Sequence, residues 1–519
     1  MSPRSRREFL ADVGRGMLVA SVGYGTALDL GLTRVFADDG SDKLLFGKLE
    51  PLVCLMQETP IGRLLPALVD QLKAGTDISD LVKAAALANA RTFGGEDYIG
   101  FHTAMALAPA FYMARELPTE RQAMPVFKVL YRNTNRIQDF GGRSSEVLHP
   151  VEAGTVPDGR VAGEVLRDTV RSKDVQAAER LFAGIAKNSP DDAFNAVLFA
   201  VQDNTEVHRV VLPYRAWDMA GLIGKENAHT LLRQSLRYCV KAENNNRSAT
   251  WDEPRTVLPK MLDQFHLVGK SLGDKPAEDA WVDQFSQTLF KSTATQAAEA
   301  AAAALAEGIA PDSIGEAISL TANQLVLRDH GRRPQEESPG KPVGSVHGDS
   351  IGVHASDSAN AWRNMARVSN PRNVCACLIL GAYQVALDRL NRGGDFQNWQ
   401  PLPVPYILNQ LKTTDPDALL RELDEAIRGN LQARAATIVH SYGEQGHAAR
   451  PVFDVLLKYA ISEDGALHAE KYYRTTSDEF ASTRPAFRWR QVVALARVTA
   501  SEYGRRAPGY DEAVSLLKV

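Results

Sequence analysis

One short pattern returns at fixed register along this chain of 519 residues. Asp97-Tyr-Ile-Gly-Phe-His102 recurs as Asp203-Asn-Thr-Glu-Val-His208 and as Asp349-Ser-Ile-Gly-Val-His354. A Met-Ala pair follows each histidine at the same distance, as Met113-Ala114, Met219-Ala220 and Met365-Ala366. A fourth copy is degraded: Tyr442 stands where an aspartate would precede His447. A repeat decides architecture before any single segment does, because each unit can bury its apolar face only against its neighbours. This one also sets imidazoles and carboxylates at equivalent points, so it bears on chemistry.

Between the histidines the chain reads as helix. Ala, Leu, Glu, Gln and Arg fill the periodic segments, and strand-like alternation is scarce. Thr295 to Glu307 is close to an ideal helix former, closed by Gly308 and Pro311. In the second unit the pattern predicts helices from about Val175 to Ala186, from Asp191 to Gln202, from His208 past Met219, and from Gly224 to Tyr238. Matching turns fall at Leu117-Pro118-Thr119, Ser369-Asn370-Pro371 and Ser462-Glu463-Asp464-Gly465, and Thr119 with Gln122 offers a capping box. The expectation is an all-α fold of four helical-hairpin units, about 60–140, 173–243, 294–390 and 416–475, forming an α/α toroid or closed solenoid. An insertion at 330–343 feeds directly into Asp349 and His354, which reads as a lid or binding loop.

Composition narrows the function. A net charge of −4 with no clustered basic face excludes nucleic acid as a partner. The four cysteines, Cys54, Cys239, Cys375 and Cys377, form no C-x-x-C pattern. That excludes a zinc ribbon, a thioredoxin-like site and c-type haem attachment, and leaves room for one disulfide.

The N-terminus carries an address. Ser5-Arg6-Arg7-Glu8-Phe9-Leu10 precedes a weakly apolar run from about Gly16 to Leu32, broken by Asp29, and Val35-Phe36-Ala37 offers a cleavage point. This resembles a twin-arginine export signal, departing from that pattern at Ala11, where lysine is common. The resemblance implies export of the folded chain by the twin-arginine translocase, removal of 1–37, and a periplasmic or secreted domain over 38–519. It also implies that a cofactor can be inserted before export. No later apolar run approaches the roughly 20 residues that cross a bilayer, so no membrane anchor is expected after cleavage.

Helix geometry sorts the histidines into tiers. His347 and His440 lie seven residues before His354 and His447, while His229, His468 and Cys375 lie 21 residues after the repeated histidine of their units. At about 1.5 Å per residue, the second group sits about 15 Å or more from its own repeated histidine. The candidate metal ligands are therefore His102, His208, His347, His354, His440, His447, Asp97, Asp203 and Asp349. Imidazole and carboxylate together suit a divalent transition metal: iron, copper, manganese or zinc. The aspartates would either ligate it or fix the imidazole tautomers. His102, His208, His354 and His447, with Tyr442 as proton donor, are the candidate catalytic groups, acting through a metal or as acid and base. Tyr214 lies near enough for a similar part, though packing is the expectation there. His229, His468 and Cys375 are expected to pack, as are the Met-Ala pairs, Trp217, Trp362, Phe111 and Phe453; His149 and His266 receive no role. The competing explanation is structural, with each histidine bonding a neighbouring unit and each aspartate capping a helix.

The rhythm of histidine, apolar helix, small turn and a second helix bearing Tyr131, Tyr238, Tyr383 and Tyr472 or Tyr473 is similar to the questin oxidase-like proteins. That family is associated with Baeyer–Villiger-type oxidation of aromatic polyketides, so the resemblance implies an oxidation. The expectation is an exported metal-dependent oxidoreductase acting on a small molecule. Its rivals are a non-catalytic α-solenoid that binds or scaffolds in the cell envelope, and a metal-dependent hydrolase using the same ligands.

Overall fold

The computed structural model describes residues 43–244, 252–393 and 395–519. Residues 1–37, expected to be a twin-arginine signal, lie outside them. Among the described residues the chain is all-helical, with 23 α-helices and only isolated β-bridges.

Twelve helices position the site: α1 (Ile78–Phe93), α2 (Tyr98–Arg115), α3 (Ala123–Phe140), α4 (Pro190–Val201), α5 (Val207–Ile223), α6 (Ala228–Glu243), α7 (Pro311–Arg328), α8 (Ile351–Val368), α9 (Pro371–Arg392), α10 (Arg450–Ser462), α11 (His468–Ser482) and α12 (Trp489–Glu502). Four of them form the centre. Helix α2 packs on α5 and α11, and α8 packs on the same two. Each central helix carries two outer partners: α1 and α3 on α2, α4 and α6 on α5, α7 and α9 on α8, α10 and α12 on α11. Central helices are buried on most sides because neighbouring helices cover them. In α5, for instance, buried positions run unbroken from Arg209 to Trp217.

Local chemistry sets where the central helices begin. Gly94 and Gly95, both at positive φ, close α1 and turn the chain into α2. Asp97 then caps α2 by accepting from the Gly100 amide at 2.7 Å. Glu206 caps α5 by accepting from the amides of His208 and Arg209, both at 3.1 Å. Before α11, Leu467 takes a left-handed conformation and aims the first turn inward.

Several expectations are met. The helix predicted from Val175 to Ala186 has those limits, and its successor runs Pro190–Val201. Others need correction. Gln122 bonds the Leu117 carbonyl, and Thr119 makes no capping bond to the helix that follows. The insertion expected as a lid or binding loop is anchored at its end, where Arg332 and Lys341 both hold Asp349 and the Gly344 amide bonds back to Arg332, which leaves that expectation standing. All four cysteines are free thiols. Helix α9 is, against expectation, long and apolar enough to cross a membrane, but 78% of its apolar window is buried inside the protein, as befits a core helix. The fourth unit is out of register with the spacing. The helix that joins the central set is α11, one helix later than the pattern around His447 predicts.

Candidate functional site

Four imidazoles meet where the central helices begin. His102, His208, His354 and His468 stand in the first one or two turns of α2, α5, α8 and α11. Their Nε2 atoms approach in pairs, His102 to His208 at 3.2 Å and His354 to His468 at 3.2 Å. Across the pairs, ring centroids lie 5.3 Å apart for His102 and His468 and 6.0 Å apart for His208 and His354. Helices packed in turn around one centre, with a histidine at the same end of each, make this convergence unavoidable.

Two hydrogen bonds dictate the chemistry of the first pair. His102 Nδ1 lies 2.8 Å from the Tyr98 carbonyl, which can only accept, so Nδ1 carries the proton. His208 Nδ1 lies 2.5 Å from Glu206 Oε1 and donates to it likewise. Burial would raise the Glu206 carboxyl, yet bonds from His208 and from Tyr238 at 2.7 Å bring it down to about 2, so it is an anion. Burial and the nearby Lys471 ammonium lower His102 to about 2, so its ring is neutral and its Nε2 bears a lone pair. A neutral His208 would point a second lone pair at the first across 3.2 Å. That repulsive arrangement calls for a shared cation, either a proton or a metal ion. Burial and Lys471 also lower His354, to about 4, and lower His468 well below its usual value.

His354, Glu206 and Asp388 keep accessible surface, although burial is the largest influence on the ionisation of each. Burial and the Glu206 charge push Asp388 well up. The exposed Tyr98 ring covers the first pair, 4.5 Å from His102 and 5.7 Å from His208, while Phe101 lies 5.0 Å from both. A surface groove of about 870 Å³ between Val161 and Arg372 contains none of the four histidines and lacks their chemistry.

A polar axis descends from the imidazoles. Positions three, seven and ten residues after each histidine face inward, and on α11 these are Lys471, Thr475 and Asp478. On α5 they include Arg215 and Asp218, on α8 Asp357, and on α2 Tyr112. Asp357 accepts from Arg215 at 3.1 Å and from Thr475 at 2.7 Å. Glu470 is held by Lys128 at 2.7 Å. The two carboxylates nearest Lys471 are thus engaged elsewhere, and burial lowers its ammonium to about 8.

The predicted residues divide sharply. His102, His208 and His354 converge. His468, expected to pack about 15 Å away, is the fourth member, because α11 rather than α10 turns inward. His447 is not in the cluster: its Nε2 faces the Thr414 carbonyl at 3.3 Å and Gln445 at 3.1 Å. Tyr442 is buried against His447 and Trp489. His440 is half-buried, with no bond to the cluster, and His347 is buried beside the Asp349 loop with Nε2 unpartnered. The three aspartates are not free to ligate. Arg136 holds Asp97, Arg171 holds Asp203 through two bonds of 2.6 Å, and Arg332 and Lys341 hold Asp349. His229 stacks on Phe182 and Cys375 is a buried thiol, as packing groups should be. Tyr214 is buried under the Arg215 guanidinium.

Sequence reasoning missed Glu206, Tyr238, Lys471, Arg215 and Asp357. It had a signal for His468. Asp464 precedes it by four residues and pairs with Arg132, as Asp97 precedes His102 by five and pairs with Arg136. Comparison with family models, with curated proteins and with solved structures finds no match.

Proposed function

We propose that His102, His208, His354 and His468 bind one divalent transition metal, and that the protein is an exported oxidoreductase acting on a small molecule held beneath Tyr98. The observation that carries this is the facing pair of Nε2 atoms with both Nδ1 protons committed outward. Imidazoles that ligate metals hold their other nitrogen to a carbonyl or carboxylate in this way. Two imidazoles on one tetrahedral ion at 2.0–2.1 Å place their nitrogens about 3.3 Å apart, close to the 3.2 Å of each pair.

Among the described residues, no three or more His, Cys, Asp or Glu side chains stand ready around one point to hold an ion. The histidines are poised as two pairs, and small rotations of the rings would bring the pairs onto a common ion. We give the paired geometry more weight, because the outward Nδ1 bonds of His102 and His208 leave their Nε2 atoms facing each other at 3.2 Å. An all-imidazole set suits iron, copper or zinc better than manganese. Four imidazoles complete a tetrahedral zinc shell and leave no position for a hydrolytic water, which favours a redox metal over the hydrolase reading. A bound redox metal would supply electron transfer. The chain's own residues orient the ligands through Glu206 and the Tyr98 carbonyl, and keep His102, His354 and His468 unprotonated through burial and Lys471. The four helical units closing into a toroid, and the twin-arginine route to the periplasm, belong to the same proposal.

The test is metal analysis of protein recovered from its export pathway, beside a His102→Ala, His354→Ala double variant. Stoichiometric iron or copper, lost in the variant, is the expected result. Metal-free wild-type protein that also fails to take up added Co²⁺ would overturn the reading and leave a proton-sharing helical scaffold.

A further inference from the structure

Below the imidazoles, the central helices enclose polar atoms that the protein leaves unpaired. Arg215 is 2% exposed, yet its Nε and Nη1 have no hydrogen-bond partner. Neither do Asp218 Oδ2, Asp478 Oδ2 or Arg474 Nε. These five atoms gather within one stretch of the bundle. Arg474 pairs with Asp478 at 2.8 Å and lies 3.8 Å over the Tyr112 ring, whose hydroxyl donates to Asp218 at 3.0 Å. Arg215 adjoins the same two aspartates electrostatically and reaches up to Asp357 and Thr475. Lys471 stands next above, and its charge is felt by His102, His354 and His468. The span from the histidines to Asp218 and Asp478 is ten residues of helix, about 15 Å.

Charge does not explain the unpaired atoms. Arg215, Lys471 and Arg474 are balanced by Asp357, Asp218 and Asp478, so no anion is needed. A buried polar group without a partner costs about 1–3 kcal/mol, and native proteins avoid that by enclosing water with two to four bonds to such groups. Unpaired donors on Arg215 and Arg474 and unpaired acceptors on Asp218 and Asp478 share this stretch, and bridging water satisfies both kinds.

We propose that the centre of the bundle holds a water file from Asp218 and Asp478 through Arg215 and Thr475 to Lys471, and that it carries protons between the histidine cluster and the opposite end of the central helices. Asp218, Asp478 and Arg474 retain accessible surface, so that end of the file meets solvent. The proposal rests on the reading of the cluster as a reactive centre. When a substrate sits under Tyr98, protons taken up or released at the cluster pass along this file and leave through the far side. Protons alone move, from ammonium to water to carboxylate, and no redox partner is involved in that step.

The experiment is a crystal structure of the full mature chain that resolves ordered water, paired with NMR measurement of hydrogen exchange at the Lys471 ammonium, which is buried. The signal is assigned by its loss in Lys471→Met. Expected are waters bridging Arg215 Nε and Nη1, Asp218 Oδ2 and Asp478 Oδ2 up to Lys471, and an ammonium that exchanges without unfolding and more slowly in Thr475→Val. Thr475→Val should interrupt the file at mid-height without unfolding the protein, removing the waters above it. Direct contact of Arg215 Nε or Nη1 with Asp218 or Asp478 and no water between them, or a Lys471 ammonium that exchanges only at the rate of global unfolding, would overturn the proposal. A hydrated file in a protein that binds no Co²⁺ at the histidines would leave the conduit standing and remove the metal reading instead.

Discussion

Glu206 and Asp203 lie three residues apart and do different work. Glu206 accepts from His208 Nδ1, from Tyr238 and from two backbone amides, so it fixes both the tautomer of His208 and the start of its helix. Asp203 is clasped by Arg171 and touches no imidazole. Glu206→Gln should weaken Co²⁺ binding about 10–100-fold, the usual cost of losing an outer-shell partner, as read by competition titration. Asp203→Asn should leave that affinity unchanged and lower the urea stability by about 1–2 kcal/mol. Equal Co²⁺ affinity in the Glu206 variant would mean that the cluster does not depend on this tautomer. The carboxylate predicted as a ligand is thus an anchor, and its uncounted neighbour is the one that orients an imidazole.

Elements reach the centre only if their connections turn correctly. Gly95 joins α1 to α2 at φ +81°, and a Cβ there would stand 2.2 Å from the Gln234 backbone oxygen. Backbone cannot step aside as a side chain can. Gly95→Ala should therefore cost about 2–4 kcal/mol in urea denaturation, through left-handed strain and the clash together. It should also loosen the first turn of α2 and so the position of His102. The control is Gly75→Ala, which has open space but φ +92°, and isolates the strain. Equal losses in both would show that the close approach to Gln234 contributes nothing. The same scale accounts for the misplaced fourth unit. A helix period is visible in sequence, but α10 and α11 are both periodic, and only packing on α2 and α8 selects α11.

At the scale of the whole molecule, burial of so many imidazoles makes acid the expected denaturant of the metal-free protein. His102 is lowered to about 2 and His229, His347 and His354 to about 4, with His468 lowered too. Unfolded histidine takes a proton near 6.5. Between about 4 and 6.5 the unfolded chain therefore binds more protons at these sites, and stability falls as pH falls through that window. Asp478, raised to about 6, Glu502, raised to about 7, and Asp388, raised well above its usual value, act in the opposite sense. They favour the fold as pH drops from 7 towards 4. With His440 also lowered by burial, six histidines against three carboxylates leave a net loss on acidification. The urea midpoint should decline from pH 6.5 to pH 4, and less steeply in His229→Phe, which lies outside the cluster. A midpoint that rises over that range would contradict the burial seen here.

The all-helical class, the helix limits near Val175 and Ala186, and three of the four converging histidines were legible because period and spacing are properties of a chain read in order. A residue at a fixed place in a repeated helix start must land at an equivalent place in space. The fate of the aspartates was not legible, since Asp97 meets Arg136 and Asp349 meets Arg332 across contacts that sequence distance does not encode. Nor was His468, whose spacing within its own hairpin argued for distance while the packing of α11 between α2 and α8 brought it to His354. Local pattern determined which side chains sit at helix starts and which faces are apolar, because those follow from backbone geometry alone. Only the tertiary structure decided which starts share a centre and which charges are already paired there, because both depend on how separate helices cover one another's surfaces.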